Sequence, residues 1–343
     1  MRVSDIGEFG LIKRLAEMLP CKGDPVVVGI GDDVAVLKPS SKYFLATCDI
    51  QVEGIHFYRE RISPKQLGRK VVAINLSDIA AMGGIPLYIL VSLGLPEDTE
   101  VKYVDSLYEG IHEEASRFSV AIVGGNLSRS IGGLIIDIFL IGEVEPENLV
   151  LRSRARPGDR VLVTGQLGAS AAGLHLIQNP GLEIPKSLAE KVKKAHFKPT
   201  PRIPEGRVIA LSKIATSMID LSDGLASDLS RICEASRVGA MIQAEHLPIS
   251  EAAIAVAELI GKAPLDLALY GGEDYELLFT APPNKADALA LKVYKETGTS
   301  VASIGEITPN VDERKVVYKD GRVAPLGAMG WNHFRMGCIY SSQ

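Results

Sequence analysis

Hydrophobic and polar positions along the chain follow two alternating periods, one typical of strands and one typical of helices. Short runs rich in β-branched residues predict strands, and Ala- and Leu-rich runs with a period near 3.6 predict helices. In the first half, helices are predicted from about Pro64 to Met82 and from about Glu100 to Phe118. The strands predicted in this half are "VVVGI", "YFLATCDI", "PLYILVSLGL", "VAIVGG" and "GLIIDIFLIGEV".

An Arg-rich segment, "LRSRARPGDR", with Pro157 and Gly158, interrupts this alternation. We place a domain boundary there, which gives an N-terminal domain of residues 1–151 and a C-terminal domain of residues 152–343. A chain of 343 residues also favours two domains.

The second half repeats the alternation of strands and helices without a fixed-period repeat, and "FKPTPRIPEG" is predicted to be a Pro-rich loop. Its predicted strands are "VLVTG", "ATSMID", "GAMIQA", "YELLFTAP" and "VASIGEIT", and its predicted helices are "ASAAGLHLI", "DGLASDLSRICEAS" and an Ala- and Lys-rich run.

Composition narrows the class of protein. Hydrophobic residues make up 46% of the chain and charged residues 23%, as in a soluble globular α/β or α+β protein. The net charge of -5, with no basic stripe, argues against nucleic-acid binding. The 4 cysteines lie far apart without a zinc-like spacing, which indicates reduced thiols and a cytoplasmic protein. No run reaches the ~18 to 20 apolar residues of a membrane span, so no membrane partner is expected.

The stretch "GIGDDVAVL" places Asp32 and Asp33 directly after a Gly-x-Gly turn. The third glycine of a dinucleotide-binding fingerprint is replaced by Val34. A phosphate beside these carboxylates would meet a repulsion of about 4 kcal/mol per charge pair at ~4 Å and an effective dielectric of ~20. A divalent cation between carboxylate and phosphate removes that conflict, because Mg²⁺ takes oxygen ligands from both.

Further carboxylates end other apolar runs, namely Asp49 in "LATCD", Asp78 in "INLSD", and Asp220 and Asp223 in "IDLSD". Ends of rigid elements can aim side chains into a shared cleft, so these residues are candidate metal ligands. Each also has a local explanation. The pair in "GDD" could form Asx turns, and the Ser-Asp pairs at 77–78 and 222–223 could be helix N-caps.

The chain resembles the thiamine-monophosphate kinase family, in a superfamily with aminoimidazole ribonucleotide synthetase, selenophosphate synthetase and a hydrogenase-maturation protein. The resemblance is collinear and covers nearly the whole chain. The stretches that carry it are "GEFGLI", "GIGDDVAVL", "TCDIQVEGIHF", "NLSDIAAMGG", "IVGGN", "RPGDRVLVTGQLGASAAGL", "IDLSDGLASDL", "GGEDYELLF", "IGEI" and "GWNHF".

The resemblance implies a two-domain α/β (α+β) fold of the aminoimidazole ribonucleotide synthetase type. An N-terminal sheet would form a barrel across a homodimer, beside a C-terminal α/β domain. It also implies Mg²⁺-assisted transfer of phosphate from ATP to thiamine monophosphate. The implied metal ligands are Asp33, Thr47, Cys48 (by its backbone if at all), Asp49, Asp78, Asn126, Asp220 and Asp223. The implied nucleotide contacts are Tyr108, Gly125, Asn126, Arg152 and Ser222, and the implied thiamine phosphate contacts are His56, Glu273, Asp274 and Trp331.

No nucleophile or general base is assigned, because the attacking phosphate oxygen is largely deprotonated at neutral pH, with a second pKa of ~6. Positioning and charge neutralisation, with Arg152 in support, are the expected sources of catalysis. Trp331 either stacks on the cationic thiazolium ring or packs the C-terminal tail.

Two positions depart from the family pattern. Cys48 stands where a hydroxyl residue is usual, and Asn126 where Asp is usual. Asn126 either binds the metal weakly or caps the local turn. Two other functions stay open at this point: a different ATP-using member of the superfamily, and a non-catalytic protein that binds a metal and a nucleotide or thiamine.

Overall fold

The structure is a computed structural model and describes residues 26–28, 35–37 and 41–327. The turn with Asp32 and Asp33, the segments "GEFGLI" and "GWNHF", and Trp331 lie outside the described residues. The rest forms two sheets with helices, as the mixed pattern of strands and helices predicts.

The first sheet has six strands in the order β1-β2-β3-β6-β4-β5, and only β4 and β5 run parallel. Two helices, α1 and α2, follow β3 and β4 along the chain. The elements are β1 Val26–Val28, β2 Ala35–Leu37, β3 Tyr43–Val52, α1 Pro64–Ala81, β4 Ile85–Leu95, α2 Val101–Arg117, β5 Ala121–Arg129 and β6 Ile135–Val144.

The two faces of this sheet differ. On β6, Ile136, Ile138 and Leu140 are buried, in a core shared with the helices. The opposite face, called here the outer face, carries exposed large apolar side chains. Another protein surface could pack against them. These side chains are Phe44, Ile50, Tyr88 and Phe139.

The second sheet has seven strands in the order β13-β12-β9-β11-β7-β10-β8. Its elements are β7 Arg160–Thr164, α3 Ala169–Gln178, α4 Lys186–Phe197, α5 Ile203–Ser212, β8 Ser217–Asp220, α6 Leu225–Ser236, β9 Gly239–Gln243, α7 Glu251–Leu259, α8 Pro264–Tyr270, β10 Leu277–Ala281, α9 Pro283–Thr297, β11 Val301–Thr308, β12 Arg314–Val317 and β13 Val323–Pro325. Short 3₁₀ turns cover Pro146–Asn148, Arg152–Arg154 and Ala244–His246.

Helix α1 lies between the two halves of the molecule. Leu76 and Ile79 of this helix share one buried cluster with Met218 of β8 and Phe279 of β10. The apolar core therefore continues from one sheet to the other, and α1 is fixed on both sides. Within the part of the chain that the structure describes, no helix is both long and apolar enough to cross a membrane.

Most predicted elements are present, with ends shifted by a few residues. The helix predicted from Pro64 begins there, because Ser63 caps it in a capping box with Gln66 and proline suits the first turn. The loop predicted for "FKPTPRIPEG" is wrong in its second part, since α5 begins at Ile203 with Pro204 in its first turn. Helices α4, α7 and α8 were not predicted.

Helices α1 and α2 cross with their backbones in close contact. A Cβ atom on Gly68 would lie 2.0 Å from the carbonyl oxygen of Leu107, and one on Gly110 would lie 2.1 Å from that of Lys65. Such distances are far inside van der Waals contact, so the crossing requires glycine on both helices. This contact sets the position of α1, and with it the side chains described below.

We predict that Gly68→Ala lowers the free energy of unfolding by about 2 kcal/mol or more, because overpacking costs outweigh the gain of ~1 kcal/mol in helix propensity. Urea denaturation followed by circular dichroism measures the change. Gly132→Ala is the control, since a Cβ there meets nothing within 4 Å. A Gly68→Ala protein as stable as the parent would show that the helices do not depend on this contact.

Candidate active site

Two predicted metal ligands of the first half lie side by side on β3 and α1. The hydroxyl of Thr47 donates to Asp78 Oδ2 at 2.5 Å. The backbone N–H of Asp49 donates to Asn75 Oδ1 at 3.1 Å, and Asn75 in turn donates to the carbonyl of Val71 at 2.9 Å. Alternation along β3 places Thr47 and Asp49 on the face that α1 covers, so strand and helix present their carboxylates to the same space.

Asp220 brings a carboxylate from the second half to this place. It ends β8, is 3% exposed, and its Oδ2 accepts a hydrogen bond of 2.7 Å from the hydroxyl of Ser77. Because Ser77 and Asp78 are adjacent on α1, Asp220 comes close to the carboxylates of the first half. The site is therefore built by both halves of the chain.

Asp223 lies in the turn before α6 and forms an ion pair with Arg231. Its backbone N–H donates to Asp228 Oδ2 at 3.1 Å. Asp228 is fully buried, and burial, only partly opposed by Arg231 and Arg152, raises its pKa well above the usual range. Arg152 is thus placed near the acidic side chains at the start of α6.

The alternative reading of the Ser-Asp pairs as helix N-caps is wrong in both cases. Ser77 and Asp78 lie inside α1, and the N-cap of α6 is Gly224, without a side-chain hydrogen bond. The carbonyl oxygen of Ser222 accepts a hydrogen bond of 2.7 Å from the backbone N–H of Glu273.

Tyr275 is buried in the segment that follows Glu273 and Asp274. Tyr275 is 6% exposed and has φ of +50°, a conformation that is rare for an aromatic residue. Burial, followed by the charges of nearby carboxylates, raises the pKa of Tyr275 well above its usual value. These carboxylates are Glu273, Asp49, Asp220 and Asp223. One neutral hydroxyl therefore faces acids from both halves of the molecule.

The predicted substrate residue Glu273 has protein partners. The ammonium of Lys70, on α1, lies 2.8 Å from Oε1 and 3.0 Å from Oε2, and His196 Nδ1 lies 3.1 Å from Oε2. Burial alone would raise the pKa of Glu273, but Lys70 and His196 outweigh it and the pKa is lowered. Glu273 is therefore a carboxylate at neutral pH.

Asp274, the second predicted acidic substrate residue, contacts the start of α3. Both of its oxygens accept from the backbone N–H of Gly168, at 3.1 and 2.9 Å, and Gly168 is the N-cap of α3. Burial raises the pKa of Asp274 to about 8. The side chain caps a helix in this structure, and its role toward a substrate stays a prediction.

The substrate candidate His56 and the nucleotide candidates Tyr108 and Gly125 lie on or beside three elements of the first half, β3, α2 and β5. His56 follows β3, and its Nδ1 accepts a hydrogen bond of 3.0 Å from the backbone N–H of Val52. The proton of a neutral His56 ring is therefore on Nε2. Tyr108 is half-buried on α2, and burial raises its pKa. Gly125 lies on β5, where a Cβ would be 1.9 Å from the carbonyl oxygen of Val91. Only glycine fits there.

Cys48 and Asn126 do not lie with Thr47 and Asp49. Alternation along β3 puts the exposed Cys48 on the outer face, which leaves only its backbone for the inner face. Partial burial of the Cys48 thiol, and then the charge of Asp137, raise the pKa of this thiol. Asn126, on the edge strand β5, is in register with Ser92, which is in turn paired with Asp137 on β6.

The donors present suit a hard cation. Carboxylate oxygens converge from both halves, and Mg²⁺ is usually bound by one or two carboxylates together with waters and substrate phosphates. Among the described residues, no group of three or more His, Cys, Asp or Glu side chains could hold a metal ion without further ligands. The set fits a cation that takes its other ligands from solvent and substrate.

Several residues of this region were not predicted from the sequence. Hydroxyl and amide side chains near a carboxylate give little signal alone, although Ser77 stands beside the predicted Asp78. Lysine in a helix usually indicates a solvated face, so nothing marked Lys70 as buried. The unpredicted residues are Lys70, Asn75, Ser77, Asp137, His196 and Tyr275.

Family models match both halves of the chain. One described as AIR synthase related protein, N-terminal domain, matches residues 31–144, and one described as AIR synthase related protein, C-terminal domain, matches residues 156–317.

Curated relatives match at nearly full length. A thiamine-monophosphate kinase of Aquifex aeolicus is 40% identical over 337 residues, with 97% of this chain and 100% of the relative covered. Another, of Escherichia coli K12, is 38% identical over 329 residues, with coverages of 96% and 98%.

Solved structures match the fold. The structure of AaThiL complexed with AMPPCP and TMP superimposes with a TM-score of 0.85 at 37% identity, covering 97% of this chain and 99% of that one. The hydrogenase maturation protein HypE in complex with ATP has the same fold at 19% identity and a TM-score of 0.68, covering 83% and 84%.

We predict that His196 makes stability depend on pH. Burial, and then Lys70, lower the pKa of His196 from 6.5 to about 4. Between these values the unfolded chain binds a proton that the folded chain does not, so this contribution is complete above pH ~6.5 and is lost as the pH falls to about 4. The effect is on the order of 3 kcal/mol.

Urea denaturation at pH 7.5, 5.5 and 4.5 measures this loss. His196→Gln is expected to lose less stability over this range than the parent, while exposed His112→Gln follows the parent. Parallel curves for the parent and His196→Gln would contradict the assignment of His196 as a buried neutral histidine.

Proposed function

The chain belongs to the thiamine-monophosphate kinase family, and we propose that it uses ATP and Mg²⁺ to convert thiamine monophosphate into thiamine diphosphate by direct in-line transfer. The observation that carries the proposal is the convergence of Asp49, Asp78 and Asp220 from both halves of the chain. A cleft of this kind gathers negative charge where two phosphorylated substrates must meet, which makes chemical sense only with cations bound between them.

The acceptor needs no activating base. A phosphate monoester with a second pKa of ~6 already carries a charged oxygen at neutral pH. The protein's task is to hold donor and acceptor in line and to offset their mutual repulsion.

The residues that would hold the cations are Asp33, Thr47, Cys48 (by its backbone), Asp49, Asp78, Asp220 and Asp223. Asn126, also predicted as a ligand, is in register with Ser92 on β4 and does not lie beside Thr47 and Asp49, so it is not included. Bound Mg²⁺ would neutralise charge on the phosphate oxygens and polarise the transferred group. The hydroxyls of Thr47 and Ser77 orient Asp78 and Asp220, which keeps carboxylate oxygens directed into the cleft.

The remaining roles follow from position. Arg152, near the acidic turn before α6, would bind phosphate oxygens of the nucleotide with its planar guanidinium. The other proposed nucleotide contacts are Tyr108, Gly125, Asn126 and Ser222, and the proposed thiamine phosphate contacts are His56, Glu273, Asp274 and Trp331.

We also propose that the enzyme acts in the cytoplasm as a homodimer, with its domains divided at 151/152. The exposed apolar side chains of the outer face, among them Phe139, support a self-association surface. Among the described strands, β5 is at the edge of its sheet and pairs with β4 alone, so its other side offers further backbone groups to a partner.

We predict that Asp78→Ala and Asp220→Ala each reduce turnover to roughly a hundredth of the parent rate or less, because each removes an anionic ligand. Formation of thiamine diphosphate is measured together with the circular dichroism spectrum, which should be retained. Asp287→Ala, on the exposed face of α9, serves as the control. Turnover near the parent rate in either variant, with the control unchanged, would remove that residue from the metal site.

We predict a dimer at micromolar concentration, measured by light scattering. Phe139→Arg places a charge on the outer face and should give monomers, whereas Leu259→Arg, at a more exposed apolar position in the second half, should stay dimeric. A monomeric parent, or a dimer in Phe139→Arg, would place the interface elsewhere.

A further inference from the structure

Lys70 is a buried cation at the boundary between the two halves of the molecule. It lies in the middle of α1, is 1% exposed, and makes its ion pair with Glu273 of the second half. Burying an ammonium group has an effective penalty of several kcal/mol unless a good partner is present. A lysine used only to link two domains could remain at the surface, so its burial beside the candidate site calls for an explanation.

The partner of Lys70 lies in a strained turn. Glu273 has φ of +64° and Tyr275 has φ of +50°, and such conformations cost about 1 to 3 kcal/mol each in residues other than glycine. The turn is bonded to the neighbouring strand end, because Tyr275 donates its N–H to the carbonyl of Leu221 at 2.9 Å and Glu273 donates to that of Ser222. The turn therefore holds the backbone between Asp220 and Asp223.

Helix α1 makes a second cross-domain bond about two turns further along. Ser77 follows Lys70 by seven residues, which places both on one face of the helix about 10 Å apart. Ser77 holds Asp220, while Lys70 holds the turn that grips the segment after Asp220. Two separate contacts from one rigid helix thus define where this segment lies relative to Asp78.

We propose that Lys70 is a positioning residue, whose ion pair with Glu273 sets the spacing between the carboxylates Asp49 and Asp78 of the first half and Asp220 and Asp223 of the second. Lys70 need not touch a substrate for this role. The inference rests on the proposed function of the carboxylates as cation ligands. Loss of a residue that orients metal ligands typically weakens metal binding by roughly 10- to 100-fold.

His196 supplies a readout that a purely structural lysine would lack. Its Nδ1 lies 3.1 Å from Glu273 Oε2 and 3.1 Å from the hydroxyl of Ser170 on α3, its Nε2 lies 3.4 Å from Lys70 Nζ, and the Phe197 ring packs against it edge-on. Of the charged groups that face it, Lys70 opposes protonation and Glu273 favours it. Without Lys70, a protonated His196 can pair with Glu273 in its place.

The test uses Lys70→Met, the double variant Lys70→Met/His196→Phe, and Lys65→Met as control, a half-buried lysine of the same helix that pairs with Glu109 and Glu113 of α2. Binding of Mn²⁺ is measured by electron paramagnetic resonance in the presence of AMPPCP, without turnover, at pH 8 and pH 6. At pH 8 Lys70→Met should bind Mn²⁺ roughly tenfold more weakly than the parent, and Lys65→Met should match it. At pH 6 Lys70→Met should recover relative to the parent, and the double variant should not.

Parent-like Mn²⁺ binding by Lys70→Met at pH 8, or equal recovery of the double variant at pH 6, would overturn the proposal. If Lys70→Met fails to fold by circular dichroism, Lys70→Met/Glu273→Gln replaces it, since that pair leaves no buried charge alone. Weaker Mn²⁺ binding by this folded variant supports positioning, and parent-like binding overturns it. Because this readout does not use turnover, a parent that binds Mn²⁺ but forms no thiamine diphosphate would instead count against the proposed function.

Discussion

The hydrogen bond from Ser77 to Asp220 is the contact on which the arrangement of the site depends. It joins the central helix of the first half to a strand end of the second, and it does so beside Asp78. The apolar core that surrounds α1 on both sides makes this contact possible, since a helix free to shift could not hold two carboxylates within one cleft. The tight glycine crossing with α2 fixes α1 from the remaining direction.

Gathering carboxylates in one cleft carries an electrostatic cost that the protein offsets locally. Hydroxyls donate to Asp78 and Asp220, and Arg231 pairs with Asp223. Lys70 does the same for Glu273 from inside the core. Carboxylates held in this way are suited to cations that arrive with the phosphates of the substrates.

The sequence singled out the candidate carboxylates because each one ends an apolar run or follows a glycine, a local signal that needs no knowledge of the fold. The structure brings Asp78 and Asp220 together through Ser77, and their role as metal ligands stays a prediction. The residues that pair with these acidic side chains were missed because their roles depend on tertiary contacts. Lysine in a helix is usually solvated, and the partner of Lys70 lies 203 residues away in the sequence. Strict alternation along "YFLATCDI" would have separated Cys48 from Thr47. The short helices α7 and α8, rich in alanine and leucine, were missed because a brief apolar run does not distinguish helix from buried strand or loop.

Crystals grown with Mn²⁺, AMPPCP and thiamine monophosphate test whether both halves of the chain bind the same cation cluster. Anomalous scattering from Mn²⁺ locates each ion without assumptions about its ligands. We expect ions that are ligated by carboxylates of both halves, including Asp78 of the first half and Asp220 of the second. We also expect phosphate oxygens to bridge these ions. Ions whose protein ligands all come from one half of the chain would contradict a cluster bound by both halves.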